Sequence, residues 1–226
     1  MITEKGKDRV QIPVGQTLLS AELFVPEEAK GLVIFSHGSG SSRLSTRNDY
    51  VAEILNQKSF ATLLLNLLTP EEDENYEARF DIALLTNRLI TVTEWTRKHP
   101  AIGHLPVGYL GASTGAAAAM RAAVSLPDLV RAVVSREGRL DLASEVLQAV
   151  RAATLLVVGS QDDPVAGYNQ DSHELLQGIK DLYLVEGADN LFEKQETLEE
   201  VTERAADWFR RYLGKGKLQP LRQDQP

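Results

Sequence analysis

The residues Tyr109-Leu110-Gly111-Ala112-Ser113-Thr114-Gly115-Ala116 constrain this chain more than any other stretch. An apolar strand, Val107 to Leu110, runs straight into Gly-x-Ser-x-Gly, and an Ala-rich helix, Ala116 to Ala123, follows at once. A strand that becomes a helix over so few residues must bend sharply. A side chain at Gly111 or Gly115 would crowd the neighbouring strand or the helix start, and glycine adopts unusual φ/ψ at little steric cost. This is the strand–turn–helix context of a nucleophile elbow. The bend lifts the Ser113 hydroxyl clear of the sheet. It also points the first amide N–H groups of the helix at a developing negative charge. Taken alone, Gly-x-Ser-x-Gly is a common turn; the strand before it and the helix after it decide for the elbow.

The rest of the chain alternates in the same way. Arg9 to Pro13 and Thr17 to Phe24, around Gly15, read as an antiparallel hairpin at a sheet edge. Gly31 to Ser36, Phe60 to Leu65, Val130 to Ser135, Thr154 to Val158 and Leu182 to Val185 are short apolar runs, the mark of buried strands. Between them lie helical patterns. One places Tyr50, Val51, Ile54 and Leu55 on a buried face, and a long one runs from about Phe80 to His99 with Ile82, Leu85, Leu89 and Val92 as its core stripe. Shorter helices are expected from Leu142 to Val150 and from Gln170 to Gly178. Thr197-Leu-Glu-Glu200 reads as a capping box that opens the last helix, with Leu198, Val201, Ala205, Trp208 and Tyr212 facing inward. Thr69 to Arg79 carries Glu71, Glu72, Asp73, Glu74 and Glu77 and reads as a solvated surface loop. It leaves the carboxyl end of its strand, so it can also contribute to a pocket rim.

Buried strands alternating with amphipathic helices give an α/β fold: a mostly parallel central sheet, helices on both faces and an antiparallel N-terminal hairpin. The connection after Ser135 is too short for a cap domain, so an open, small site is expected. Residues 1–213 read as one domain and 214–226 as a loosely ordered tail.

Composition narrows the chemistry. With no cysteine, disulfides and thiolate metal sites are excluded, and the 4 histidines are too scattered for a zinc site. A net charge of −8 argues against a nucleic-acid backbone as partner. Met1 to Lys7 lacks the apolar stretch of a signal peptide, and no run reaches the roughly 18 apolar residues of a membrane span. The expectation is a cytoplasmic protein, with neither cofactor nor metal, acting on a small molecule; oligomeric state is left open. Nucleotide binding is weakly served: Gly38-Ser-Gly-Ser-Ser-Arg43 lacks the third glycine, and Asn66 stands where a ribose-binding acid would be.

A serine hydrolase needs a nucleophile, a base, an acid and oxyanion donors. Ser113 is the candidate nucleophile. Asp162 is the candidate acid, because it lies in the turn just beyond a buried strand, and Asp163 is its neighbouring alternative. The amide of Thr114 is one oxyanion donor, and that of Ser39, in the loop after the His37 strand, is the second. The base belongs in the loop after the last strand, Val185 to Glu193, which contains no histidine. His37 sits beside the oxyanion loop, His99 and His104 flank the wrong edge of the sheet, and His173 lies inside a helical pattern. None fits the base, with His37 and His173 the nearest to doing so.

The chain resembles the dienelactone-hydrolase-like branch of the α/β-hydrolase superfamily, in particular small bacterial hydrolase domains that also occur joined to phosphoribosyltransferase domains. The matching stretches are His37-Gly-Ser-Gly-Ser-Ser-Arg43 with Arg47-Asn48, then Leu63-Leu-Leu-Asn-Leu-Leu-Thr69 and Arg79-Phe-Asp-Ile82. They continue with Leu105-Pro-Val-Gly-Tyr109, Gly111 to Ala116, Val133-Val-Ser-Arg136, Asp162-x-Pro-Val165 and Gly187-Ala-x-x-Leu-Phe-Glu193. The resemblance implies an α/β-hydrolase fold without a cap, and hydrolysis of small carboxylic esters or lactones. Its triad carries onto Ser113 and Asp162, and its histidine falls on Asn190. Asn66 and Glu137 are two further departures, standing where the family pattern has Asp and Gly. A carboxamide has no basic nitrogen near neutral pH, so Asn190 cannot take the Ser113 proton, and impaired hydrolysis is expected. The other reading is an inactive binding or partner module on the same scaffold.

Overall fold

The computed structural model describes residues 7–37, 46–161, 163–188, 192 and 194–214, with Asp163 described by its backbone alone. The candidate residues Ser39, Asp162 and Asn190 lie outside the described residues, as does the tail beyond Gly214.

The hairpin forms as β1 (Lys7–Val14) and β2 (Thr17–Phe24), and β3 (Leu32–His37) follows. Then come α1 (Thr46–Gln57), β4 (Ala61–Asn66), α2 (Pro70–Asp73), α3 (Tyr76–Phe80) and α4 (Ile82–Lys98). The centre of the chain is β5 (Val107–Ser113), α5 (Thr114–Ser125) and β6 (Val130–Gly138). A 3-10 stretch, Leu140–Ala149, breaks at Ala143 and leads to β7 (Ala153–Gly159). The chain ends with α6 (Asp163–Leu175), β8 (Lys180–Val185) and α7 (Gln195–Leu213).

Among the described residues the sheet has 8 strands in the order β1-β2-β4-β3-β5-β6-β7-β8. Strands β3 to β8 run parallel, and β2 joins them antiparallel through β4. Neighbouring strand residues point to opposite faces, and the core divides accordingly. Leu32, Ile34, Leu63 and Tyr109 pack with α4, α5 and the 3-10 stretch. Val33, Phe35, Leu64 and Leu110 pack with α1 and α7. Both faces of β3 to β7 are therefore largely dry, which is why these strands read as unbroken apolar runs, while β8 at the sheet edge is half exposed. Among the described residues no helix is long and apolar enough to cross a membrane.

Five local expectations are corrected. The acidic stretch is not a plain loop. Thr69 caps α2 through a reciprocal capping box with Glu72, and Glu72 takes two hydrogen bonds from the guanidinium of buried Arg88, at 2.5 and 2.7 Å. This pairing holds the Glu72 carboxyl down at about 2. Helix α6 starts at Asp163, seven residues before Gln170. Helix α7 starts at Gln195, so Thr197 lies inside its first turn and caps nothing. The buried face of α7 turns onto Phe209 and Leu213, while Trp208 and Tyr212 pack at its margin. On α1 the buried positions are Asn48, Val51, Ala52 and Leu55, with Tyr50 and Ile54 only partly covered.

Candidate active site at the carboxyl edge of the sheet

The strand registers bring one set of residues to a single edge. His37 at the end of β3 pairs with Asn66 on β4 and with Ala112 on β5. Ser113 ends β5 and faces Gly138 across a register shift. Gly159, at the end of β7, faces Val185 of β8.

Ser113 is exposed, whereas its neighbours Ala112 and Thr114 are buried. Its backbone, at φ 51° and ψ −128°, lies in a region that residues with a Cβ rarely adopt. The elbow is held on every side. A Cβ on Gly111 would sit 2.6 Å from the Ala116 Cα, so only glycine lets the strand pass so close to the helix. Ser36 Oγ donates to the Gly115 carbonyl at 2.8 Å, and the Arg139 amide donates to the Ser113 carbonyl at 3.1 Å. Thr114 is the first residue of α5, and the first amides of a helix have no partner within it. Expected as an oxyanion donor, Thr114 thus stands directly beyond the strained serine.

The loops expected to carry the acid and the base position are joined through their described neighbours. The Ser160 amide donates to the Val185 carbonyl at 3.0 Å and the Gln161 amide to the Ala188 carbonyl at 3.1 Å. Ser160 Oγ accepts from the Gly187 amide at 2.9 Å. The residue before Asp162 and the segment two residues before Asn190 are therefore bonded to each other.

The histidines fall apart spatially. His99 caps the C-terminus of α4, and both it and His104 precede β5, at the amino edge of the sheet. The carbonyl of His173 accepts from Lys180 Nζ at 2.6 Å; Lys180 begins β8, so His173 is also at the amino edge. Only His37 is near Ser113. Its ring is buried, and neither nitrogen has a hydrogen-bond partner among the described residues. Burial, assisted by the charge of Arg136, lowers its pKa to about 3. An imidazole that holds a proton so weakly is a poor base for a serine hydroxyl.

Glu137 is the departure from the family pattern that the structure explains best. Its φ of 49° is in the left-handed region, where glycine is at ease. The side chain is buried, and Oε1 accepts from the Gly159 amide at the end of β7. A carboxylate thus braces β6 against the strand that leads to Asp162. Arg136, one residue earlier, donates to Asn48 Oδ1 at 3.4 Å. Loss of water around this guanidinium, and then the charge of Arg47, lower its pKa to about 10, with Glu137 opposing. No short-range pattern marks these contacts, because each joins residues far apart in the chain. Among the described residues no group of three His, Cys, Asp or Glu side chains could hold a metal ion.

The dienelactone hydrolase of Anabaena variabilis has the same fold, with a TM-score of 0.88 and 48% sequence identity over 92% of this chain and 98% of that one. The chain belongs to the dienelactone hydrolase family. An esterase domain from Rhodothermus marinus superposes with a TM-score of 0.75 at 17% identity, over 92% of this chain and all of that domain, a likeness of fold alone. Proteins from two strains of Mycobacterium tuberculosis, named as phosphoribosyl transferases, are 52% identical over 202 residues. The match covers 89% of this chain and 46% of those proteins, so the chain spans about half the length of these curated relatives. No family model matches the chain. Membership in the dienelactone hydrolase family agrees with the resemblance read from the sequence.

Proposed function

We propose that the chain is a serine hydrolase of small carboxylic esters or lactones, slowed by the lack of a basic side chain at residue 190. The observation that supports this most is the strained, exposed backbone of Ser113 at the first turn of α5. Strain of this kind is kept where the surroundings enforce it, and it clusters at catalytic positions. In this reading Ser113 Oγ attacks the carbonyl carbon. The amides of Thr114 and Ser39 receive the oxyanion, Asp162 is the acid, and Asn190 occupies the place of the base.

With a carboxamide there, the hydroxyl proton passes to water instead of to an imidazole. Loss of a triad base lowers turnover by up to about 10⁶, and an intact oxyanion hole still gives about 10³–10⁴ over water. The transferase name of the longer relatives does not enter this reading. The chain covers 98% of a dienelactone hydrolase but only 46% of those relatives.

A second reading, a binding module on the same scaffold, is favoured by the placement of the described histidines, none of which offers a base to Ser113. A fluorophosphonate probe separates the two. Labelling confined to Ser113, absent in Ser113→Ala, supports the hydrolase; failure to label over hours at millimolar probe supports the module.

A further inference from the structure

Large apolar side chains exposed among the described residues include Tyr76 (71%), Phe80 (37%) and Tyr168 (40%). All three lie at the carboxyl edge of the sheet, from two separate elements. Tyr76 and Phe80 come from α3, between β4 and α4, and their rings pack at a tilt of 37° with centroids 4.8 Å apart. Tyr168 comes from α6, the helix after β7. Arg139 follows β6, which lies between β4 and β7 in the sheet order, as does β5 with Ser113 at its end. The Arg139 guanidinium lies 5.6 Å from the Tyr168 ring centroid.

This group is fixed to the nucleophile. The Arg139 amide donates to the Ser113 carbonyl at 3.1 Å. Asn169, next to Tyr168, is fully buried and donates through Nδ2 to the Gly138 carbonyl at 2.9 Å. The guanidinium is pinned by two hydrogen bonds to Asp141, at 2.9 and 2.8 Å. Those bonds fix its plane and compensate its charge. What remains on offer is a flat π face beside flat rings, not a free cation.

Exposed aromatic rings are costly to solvate, and a cluster of them around a polar site marks a recognition surface. We infer that Tyr76, Phe80, Tyr168 and Arg139 form a wall beside Ser113 that binds the arene of an uncharged aromatic carboxylic ester. The identity of the ligand as an ester rests on the hydrolase reading; the arene preference rests on the wall.

The test is a binding measurement on full-length Ser113→Ala, which needs no turnover. Methyl phenylacetate, methyl octanoate (of equal carbon number) and the phenylacetate anion are titrated by calorimetry and by saturation-transfer NMR. The expected result is methyl phenylacetate at least tenfold tighter than methyl octanoate, with saturation transferred to the ring protons. In the same background, Tyr168→Ala and Tyr76→Ala each weaken it at least threefold with unchanged melting temperatures, and Tyr168→Phe retains it. Equal binding of the two esters, no binding of either, or indifference to both alanine changes overturns the inference. Tighter binding of the anion overturns it in favour of a carboxylate site. Fluorophosphonate labelling of the unaltered chain reports separately on Ser113, so a failed wall and a failed hydrolase reading give different results.

Discussion

The hydroxyl of Ser36, fully buried at the end of β3, donates to the carbonyl of Gly115 across 2.8 Å, bridging 79 positions of sequence. The bond ties the strand before the expected oxyanion loop to the first turn of the helix after Ser113. The two expected oxyanion donors, Ser39 and Thr114, belong to the two segments this bond joins. Ser36→Ala removes the donor in a dry setting, where a lost hydrogen bond costs about 1–2 kcal/mol. The expected outcome is that loss in the urea midpoint, together with slower fluorophosphonate labelling. A stability loss with an unchanged labelling rate would limit Ser36 to a packing role.

The strain at Ser113 makes a prediction about stability alone. At φ 51° and ψ −128° a residue with a Cβ is held at a cost of about 1–3 kcal/mol. Ser113→Gly relieves this, less the extra freedom glycine gives the unfolded chain, and should stabilise the fold by about 1 kcal/mol. Ser113→Ala keeps the Cβ and gains nothing of the kind. Equal melting temperatures for the two variants would remove the argument from strain.

His37 gives the fold a pH dependence. Its folded pKa is depressed to about 3 from 6.5. Between these values the unfolded chain binds a proton that the folded chain does not, so stability rises with pH across the window. The contribution is complete above pH 6.5 and is lost as pH falls towards 3. The slope from this one group approaches about 1.4 kcal/mol per pH unit. Glu72, held down to about 2 by Arg88, adds a loss of the same sign below pH 4.5. Denaturant melts from pH 4 to 6 should show the slope, and His37→Gln should flatten it by one proton. Parallel slopes in both forms would show that His37 is not buried neutral.

Restoring an imidazole tests the proposed chemistry most directly. Asn190→His should raise hydrolysis of a short-chain p-nitrophenyl ester by at least about a hundredfold, because the general base is worth several decades of rate. The gain should require Ser113 and should fall away at acid pH as the new imidazole is protonated. Equal rates in both forms would falsify the assignment of residue 190.

The sequence by itself determined the scaffold. Unbroken apolar runs can be satisfied only by strands covered on both faces, and only glycine at residue 111 lets β5 pass so close to the start of α5. Strand positions, the stripe of α4 and the elbow were legible because each depends on neighbours a few residues away. The capping box of Thr69 and Glu72 was equally local and was hidden by the acidic composition around it, whereas that of Thr197 was written in the sequence and not used. There, packing of Phe209 and Leu213 against the sheet sets the helix, and burial of large side chains outweighs a cap worth about 1 kcal/mol.

Only the tertiary structure decided what surrounds Ser113. It carried His173 to the amino edge, where the sequence had already placed His99 and His104, and sealed His37 in a dry setting that weakens it as a base. It turned Glu137 onto the amide of Gly159 and set the Tyr168 ring beside the guanidinium of Arg139. These relationships join residues tens of positions apart. They arise from strand order and register, which no local pattern of residues encodes.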